Sequence, residues 1–191
     1  MKIVRNSGLW LVLAGTLFAC SAPKKASPEG VAELRKMLSA VQDVEIVVSA
    51  GATEDQYSQR LTDALLKFGK LDEVCKHALT HFAEPAQQNL SAQICQHLGT
   101  ALDAYTYAKG YFGPEYNLGF DISPTYNLND ADYARVRERF PMLEDLPIAD
   151  TGTEGHKFYA RSMMLQALWK VAGHESQAAK DLIEKLAQMG A

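Results

Sequence analysis

Four apolar stripes with helical spacing follow one another in the first half of this chain, separated by short connections. Within each stripe apolar residues recur every three or four positions, the period of one face of an α-helix. The first and longest stripe comprises Val31, Leu34, Leu38, Val41, Val44 and Val48. Because short connections make neighbouring helices antiparallel, the pattern predicts an all-α helical bundle.

Residues that start and stop helices stand at the ends of the stripes. Ser27 followed by Pro28 is typical of a helix start, and Gly51 of a helix end. Pro85 forces the preceding residue out of helical geometry, so it marks the bend between the third and fourth helices. The β-branched residues 44–48 would also suit a strand, but the helical period continues through them and favours a helix.

The second half of the chain is less regular. Residues 110–130 are rich in Gly, Pro and Asn and form an irregular segment of about twenty residues. A short helix is predicted over 130–139. The last segment, from about Glu154 to Gln188, is predicted as one helix or as two broken near Gly173. No other segment alternates as a strand would, so we expect five to seven helices in one domain spanning 28–191.

The chain opens with a basic region, a short apolar run and a small residue. The apolar run from Leu9 to Ala19 rises about 1.5 Å per residue and is too short to cross a hydrocarbon core of about 30 Å. This three-part pattern predicts a secretory signal over residues 1–19. Its end, Leu17-Phe18-Ala19-Cys20, resembles the lipobox of bacterial lipoproteins.

The lipoprotein resemblance implies cleavage before Cys20 and attachment of lipid to that cysteine and its new amino terminus. Two or more acyl chains anchor a protein stably where one does not. Ser21 after the cysteine is similar to signals for the outer membrane, so the periplasmic face of that membrane is the expected location. Residues 20–27 would form a short tether. The alternative is an ordinary cleaved signal followed by a chance cysteine.

Charge excludes one class of partner. Removal of residues 1–19 would leave 17 basic and 23 acidic side chains, a net charge of −6. Nucleic-acid binding depends on basic surfaces that neutralise phosphates, and no basic stripe is present in the sequence. We therefore expect no nucleic-acid partner.

The two cysteines of the predicted bundle are placed symmetrically about Pro85. Cys75 lies ten residues before this proline and Cys95 ten residues after it. An antiparallel pair of helices that bends at Pro85 would bring the two cysteines level, and the compartment outside the inner membrane is oxidising. The sequence predicts a disulfide between them, with two buried free thiols as the alternative.

The same region repeats a Cys-x-His pattern, at His77 and His97, and these residue types are zinc ligands. Residues two apart on a helix point about 200° apart, so facing cysteines turn both histidines away. His77 and His81 share what we predict to be a solvated face. An exposed histidine pair at that spacing binds metal only weakly, as a surface site. We therefore predict no specific metal-binding site.

No motif predicts catalysis or a cofactor. The chain lacks a Gly-x-Ser-x-Gly elbow, a His-Glu-x-x-His helix, a phosphate-binding glycine loop and a haem attachment site. We predict no catalytic residue and no cofactor. A carboxylate pair assembled by folding leaves no sequence signature, so an unrecognised envelope hydrolase is kept as an alternative.

Aromatic residues are concentrated around the irregular segment, where six of the eight tyrosines fall between residues 105 and 133. The predicted contact residues are Tyr111, Phe112, Tyr116, Phe120 and Tyr126. Aromatic rings in a loop suit a surface that binds an envelope protein or a glycan, although the same rings would also suit a core. The sequence favours a non-enzymatic interaction module. A small-ligand or metal carrier with an inter-helix cavity is the alternative.

Overall fold

Six helices account for 77% of the residues that the structure describes, which confirms the all-α prediction. The computed structural model describes residues 26–51, 53–69, 71–111, 127–151 and 157–189. The helices are α1 (Pro28–Ser49), α2 (Glu54–Lys67), α3 (Leu71–Thr80), α4 (Pro85–Lys109), α5 (Asp130–Arg139) and α6 (Arg161–Gln188).

The predicted helix boundaries of the first half are confirmed. The Ser27 side chain accepts a hydrogen bond from the Gly30 amide, and Pro28 opens α1. The helix continues through residues 44–48 to Ser49, so the strand alternative is excluded. Gly51 follows with a φ of 77°, a left-handed conformation that glycine adopts without steric cost. Pro85 opens α4, where its missing amide is tolerated.

The centre of the bundle is the long contact between α4 and α6. Small buried residues allow the two backbones to approach, and they recur at helical spacing: Ala101, Ala104 and Ala108 on α4, and Ala172 and Ala179 on α6. Helices α1 and α2 pack against this pair. Tyr57 of α2 is fully buried there, and its hydroxyl donates to the Tyr105 carbonyl oxygen at 2.6 Å. Burial raises the pKa of Tyr57 above its ordinary value.

A small antiparallel sheet corrects the prediction for the second half. It consists of β1 (Asn127–Asn129), β2 (Asp150–Thr151) and β3 (Lys157–Ala160), with β3 in the middle. Helix α6 therefore begins at Arg161, not near Glu154, and it runs unbroken through Gly173. Strands of two to four residues are too short to show an alternating pattern, so the sequence did not predict them.

Both ends of the described chain lie at one end of the bundle. The Ala26 amide donates to the Met189 carbonyl oxygen at 3.3 Å, which brings the start of α1 next to the end of α6. Within the described ranges, no helix has both the length and the apolar character to cross a membrane. Residues 1–25, including the predicted signal and Cys20, lie outside these ranges, so lipid attachment stays a prediction.

Candidate functional site

An open groove of about 780 Å³ lies where α1 passes the corner between α2 and α3. Three helices contribute to its walls, because α2 ends and α3 begins beside the middle of α1. The lining residues are Glu33, Lys36, Met37 and Ser39 of α1, Lys67 and Phe68 at the end of α2, and Glu73 and His77 of α3. A volume of this size accommodates a small organic ligand.

The groove combines an apolar floor with charged rims. Met37 and Phe68 are buried at its base. Lys36 is exposed on the rim and has no ionic partner among the described residues, whereas Lys67 lies 3.3 Å from the Asp43 carboxylate. The groove therefore offers apolar contact together with an ammonium group that is available to an anion.

Two imidazoles and a carboxylate meet at one end of the groove. The Glu33 carboxylate oxygen Oε2 lies 3.0 Å from His77 Nδ1 and 3.8 Å from His81 Nε2. The predicted solvated face is correct for His77, whose side chain is 64% exposed, but wrong for His81, whose side chain is only 22% exposed. No sequence pattern predicts the contact with Glu33, because this acid belongs to another helix, 44 residues before His77.

Gly30 explains why α1 comes so close to the end of α3. A Cβ atom at this position would lie 2.7 Å from the Phe82 ring and 2.8 Å from the Cβ atom of His81. Such distances are well inside van der Waals contact, so only glycine permits this approach. The close approach covers one side of His81 and brings Glu33, three residues further along α1, to the histidines.

The structure places Cys75 and Cys95 within disulfide-bonding distance, with their Cα atoms 6.0 Å apart. This Cα separation lies in the ordinary range for disulfides. The pair joins α3 to α4 and so holds the helix that carries His77 and leads directly into His81. The symmetric placement of the two cysteines about Pro85 therefore predicted the correct juxtaposition.

His97 turns away from the disulfide, as predicted, and meets a partner that the sequence did not reveal. Its Nδ1 atom lies 2.5 Å from Oε2 of Glu175, which is 78 residues away on α6. Glu175 is only 6% exposed. A buried carboxylate requires such a partner, so the contact is a structural link between α4 and α6.

Tyr111 is the one predicted contact residue of the aromatic segment within the described ranges. It is half-buried against the bundle, and the Arg161 guanidinium lies 5.9 Å from its ring centroid. Burial raises the pKa of Tyr111 to about 12. Tyr105 and Tyr133 belong to the core. The other four predicted contact residues lie outside the described ranges: Phe112, Tyr116, Phe120 and Tyr126.

Comparison with known proteins assigns no family to this chain. No protein family, no curated protein and no solved structure matches it significantly. No role is therefore carried over to the groove, to its histidine end or to the disulfide.

Proposed function

We propose that this chain is a lipid-anchored envelope protein whose helical bundle binds a small organic ligand in the groove without transforming it. The groove is the observation that supports the proposal, because it has the size of a ligand site and described residues of three helices line it. The aromatic segment, proposed from the sequence as a contact surface, depends mainly on residues outside the described ranges.

The side chains of the groove favour a ligand with an apolar body and an anionic group. Met37 and Phe68 would contact the apolar body. Lys36, which has no ionic partner among the described residues, would meet the anionic group. Carboxylates and sulfonates joined to an aromatic ring have this chemistry, so 1-anilinonaphthalene-8-sulfonate is a suitable fluorescent probe.

The position of the groove agrees with a role at a membrane surface. Glu33 lies five residues after Pro28, which corresponds to about 8 Å along the helix axis. Lipid on Cys20 and a short tether would therefore hold the histidine end of the groove near the headgroups. A carrier in this position would receive or release its ligand at the envelope membrane.

The groove is tested by titrating the probe into residues 21–191, exported without lipid, and following its fluorescence. We expect Lys36→Glu to weaken binding about fivefold, since one surface charge contact contributes about 1 kcal/mol. Arg35→Glu is the matched control, because this exposed neighbour does not line the groove. The control should bind like the unmodified chain. Equal weakening by both variants would indicate a general charge effect and refute the groove.

A second pair of variants tests the shape of the site. Ser39→Trp introduces a large ring into the groove and is expected to abolish probe binding. Ser49→Trp places the same ring at the exposed end of α1, away from the groove, and should leave the probe affinity unchanged. Both variants should melt at the temperature of the unmodified chain. Undiminished binding by Ser39→Trp would contradict the proposal.

A further inference from the structure

Three potential metal ligands converge from α1, from α3 and from the turn after α3 at the end of the groove. Glu33 Oε2, one nitrogen of His77 and one nitrogen of His81 all lie within 4.8 Å of one another. Two ligand atoms on one tetrahedral zinc ion, each bonded at about 2.1 Å, lie about 3.4 Å apart. The distances of 3.0 Å and 3.8 Å from Glu33 Oε2 to the two imidazoles lie on either side of this value.

Two helices and one turn hold these ligands in place. His77 belongs to α3, and His81, four residues later, lies in the turn directly after the helix ends at Thr80. The ring centroids are 5.0 Å apart. Glu33 enters from α1, at the close approach that Gly30 allows. Only small side-chain movements are therefore required to bring the three ligand atoms onto one ion.

The environment of His81 gives independent support. Its Nε2 atom is buried and forms no hydrogen bond with any described residue, since the 3.8 Å separation from Glu33 is too long for one. Buried polar atoms without a partner are uncommon in folded proteins. The other ring nitrogen, Nδ1, faces the Glu29 carboxylate at 4.0 Å. At this distance Glu29 makes no hydrogen bond to the ring, so the support comes from the buried Nε2 atom alone.

We propose that Glu33, His77 and His81 form a binding site for a divalent transition metal ion of the zinc class. Two imidazole nitrogens and one carboxylate oxygen suit Zn²⁺, Co²⁺ or Ni²⁺, whereas Mg²⁺ and Ca²⁺ prefer sites made of oxygen ligands. Three protein ligands leave a coordination position for water or for a further ligand. The site shares Glu33 and His77 with the wall of the groove, but it needs neither the apolar floor nor the organic ligand proposed there.

The proposal is tested with the full chain, purified in mild detergent, freed of metal with a chelator and titrated with Zn²⁺ in a calorimeter. We expect one ion per chain. His77→Ala and Glu33→Gln should each weaken binding by at least about tenfold, because even residues behind the ligands contribute that much at metal sites. His77 is well exposed, so its loss should leave the fold intact. His81→Gln provides the third ligand variant.

His174→Ala is the matched control, because His174 is an exposed histidine on α6, outside the cluster. It should bind Zn²⁺ like the unmodified chain. Co²⁺ should give visible absorption bands that disappear in His77→Ala, and Mg²⁺ should give no binding heat. The proposal is overturned if the unmodified chain binds no Zn²⁺, or if His77→Ala and His174→Ala bind it equally. None of these metal titrations contains an organic probe. Absence of metal binding would therefore leave the groove proposal untouched.

Discussion

Reduction of the disulfide between Cys75 and Cys95 is expected to lower the free energy of unfolding by about 3 kcal/mol. The two cysteines are separated by 20 positions, and opening a loop of this size restores conformational freedom to the unfolded chain. In a chain of this length the loss corresponds to a fall in melting temperature of about 10 °C. Helix α3 should detach first, because it has only ten residues and depends on this link to α4.

The disulfide prediction is checked by thermal melting, followed by circular dichroism, with and without a phosphine reductant. The double variant Cys75→Ala/Cys95→Ala should melt like the reduced chain and should not respond to reductant. Reduction should also weaken Zn²⁺ binding, since His77 belongs to α3 and His81 lies in the turn directly after it. Two thiols that react after denaturation without reductant would show that the bond does not form in the exported protein.

Replacement of His97 by leucine is expected to cost about 3 kcal/mol of folding free energy, because it leaves a buried carboxylate without its partner. Glu175 is 6% exposed, whereas the His97 side chain is 33% exposed. The pair is therefore unequal in its access to water. Glu175→Leu should cost less, about 1 kcal/mol, because the imidazole that remains can still be hydrated.

Urea denaturation of four proteins measures this asymmetry: the unmodified chain, the two single variants and the double variant His97→Leu/Glu175→Leu. The double variant should recover most of the loss caused by His97→Leu, since apolar replacement of both partners of a buried pair is often close to neutral. A larger loss for Glu175→Leu than for His97→Leu would mean that the contact does not hold the carboxylate in the way described.

The helix boundaries of the first half were predictable because their causes are local, whereas the start of α6 at Arg161 was not predicted. Ser27 caps α1 through the Gly30 amide three residues later, and Asn129 caps α5 through the Asp132 amide in the same way. Each capping interaction therefore involves residues that are only three positions apart in the sequence. The disulfide was predictable because a single proline defines the bend on which the cysteine pairing depends.

The small sheet and half of the proposed metal site were not predictable, because their causes are distant in sequence. Strand β3 pairs with β1 through partners such as Leu128 and Tyr159, and the paired segments are too short to show a strand period. The proximity of His77 and His81 can be predicted from the sequence, because the two residues are four positions apart. Its carboxylate partner Glu33 becomes apparent only when α1 and α3 are packed together. The shielding of His81 likewise depends on a glycine in another helix.

We propose that the groove beside α1, and not the aromatic segment, is the ligand-binding site of this bundle. Amide chemical shifts of isotope-labelled residues 21–191, recorded during titration with 1-anilinonaphthalene-8-sulfonate, test it most directly. We expect perturbed amides in residues 33–39, 67–68 and 73–77, with residues 107–111 unchanged. Perturbations centred on residues 107–126, with the groove amides unmoved, would refute the groove as the binding site and would make the aromatic segment the contact surface.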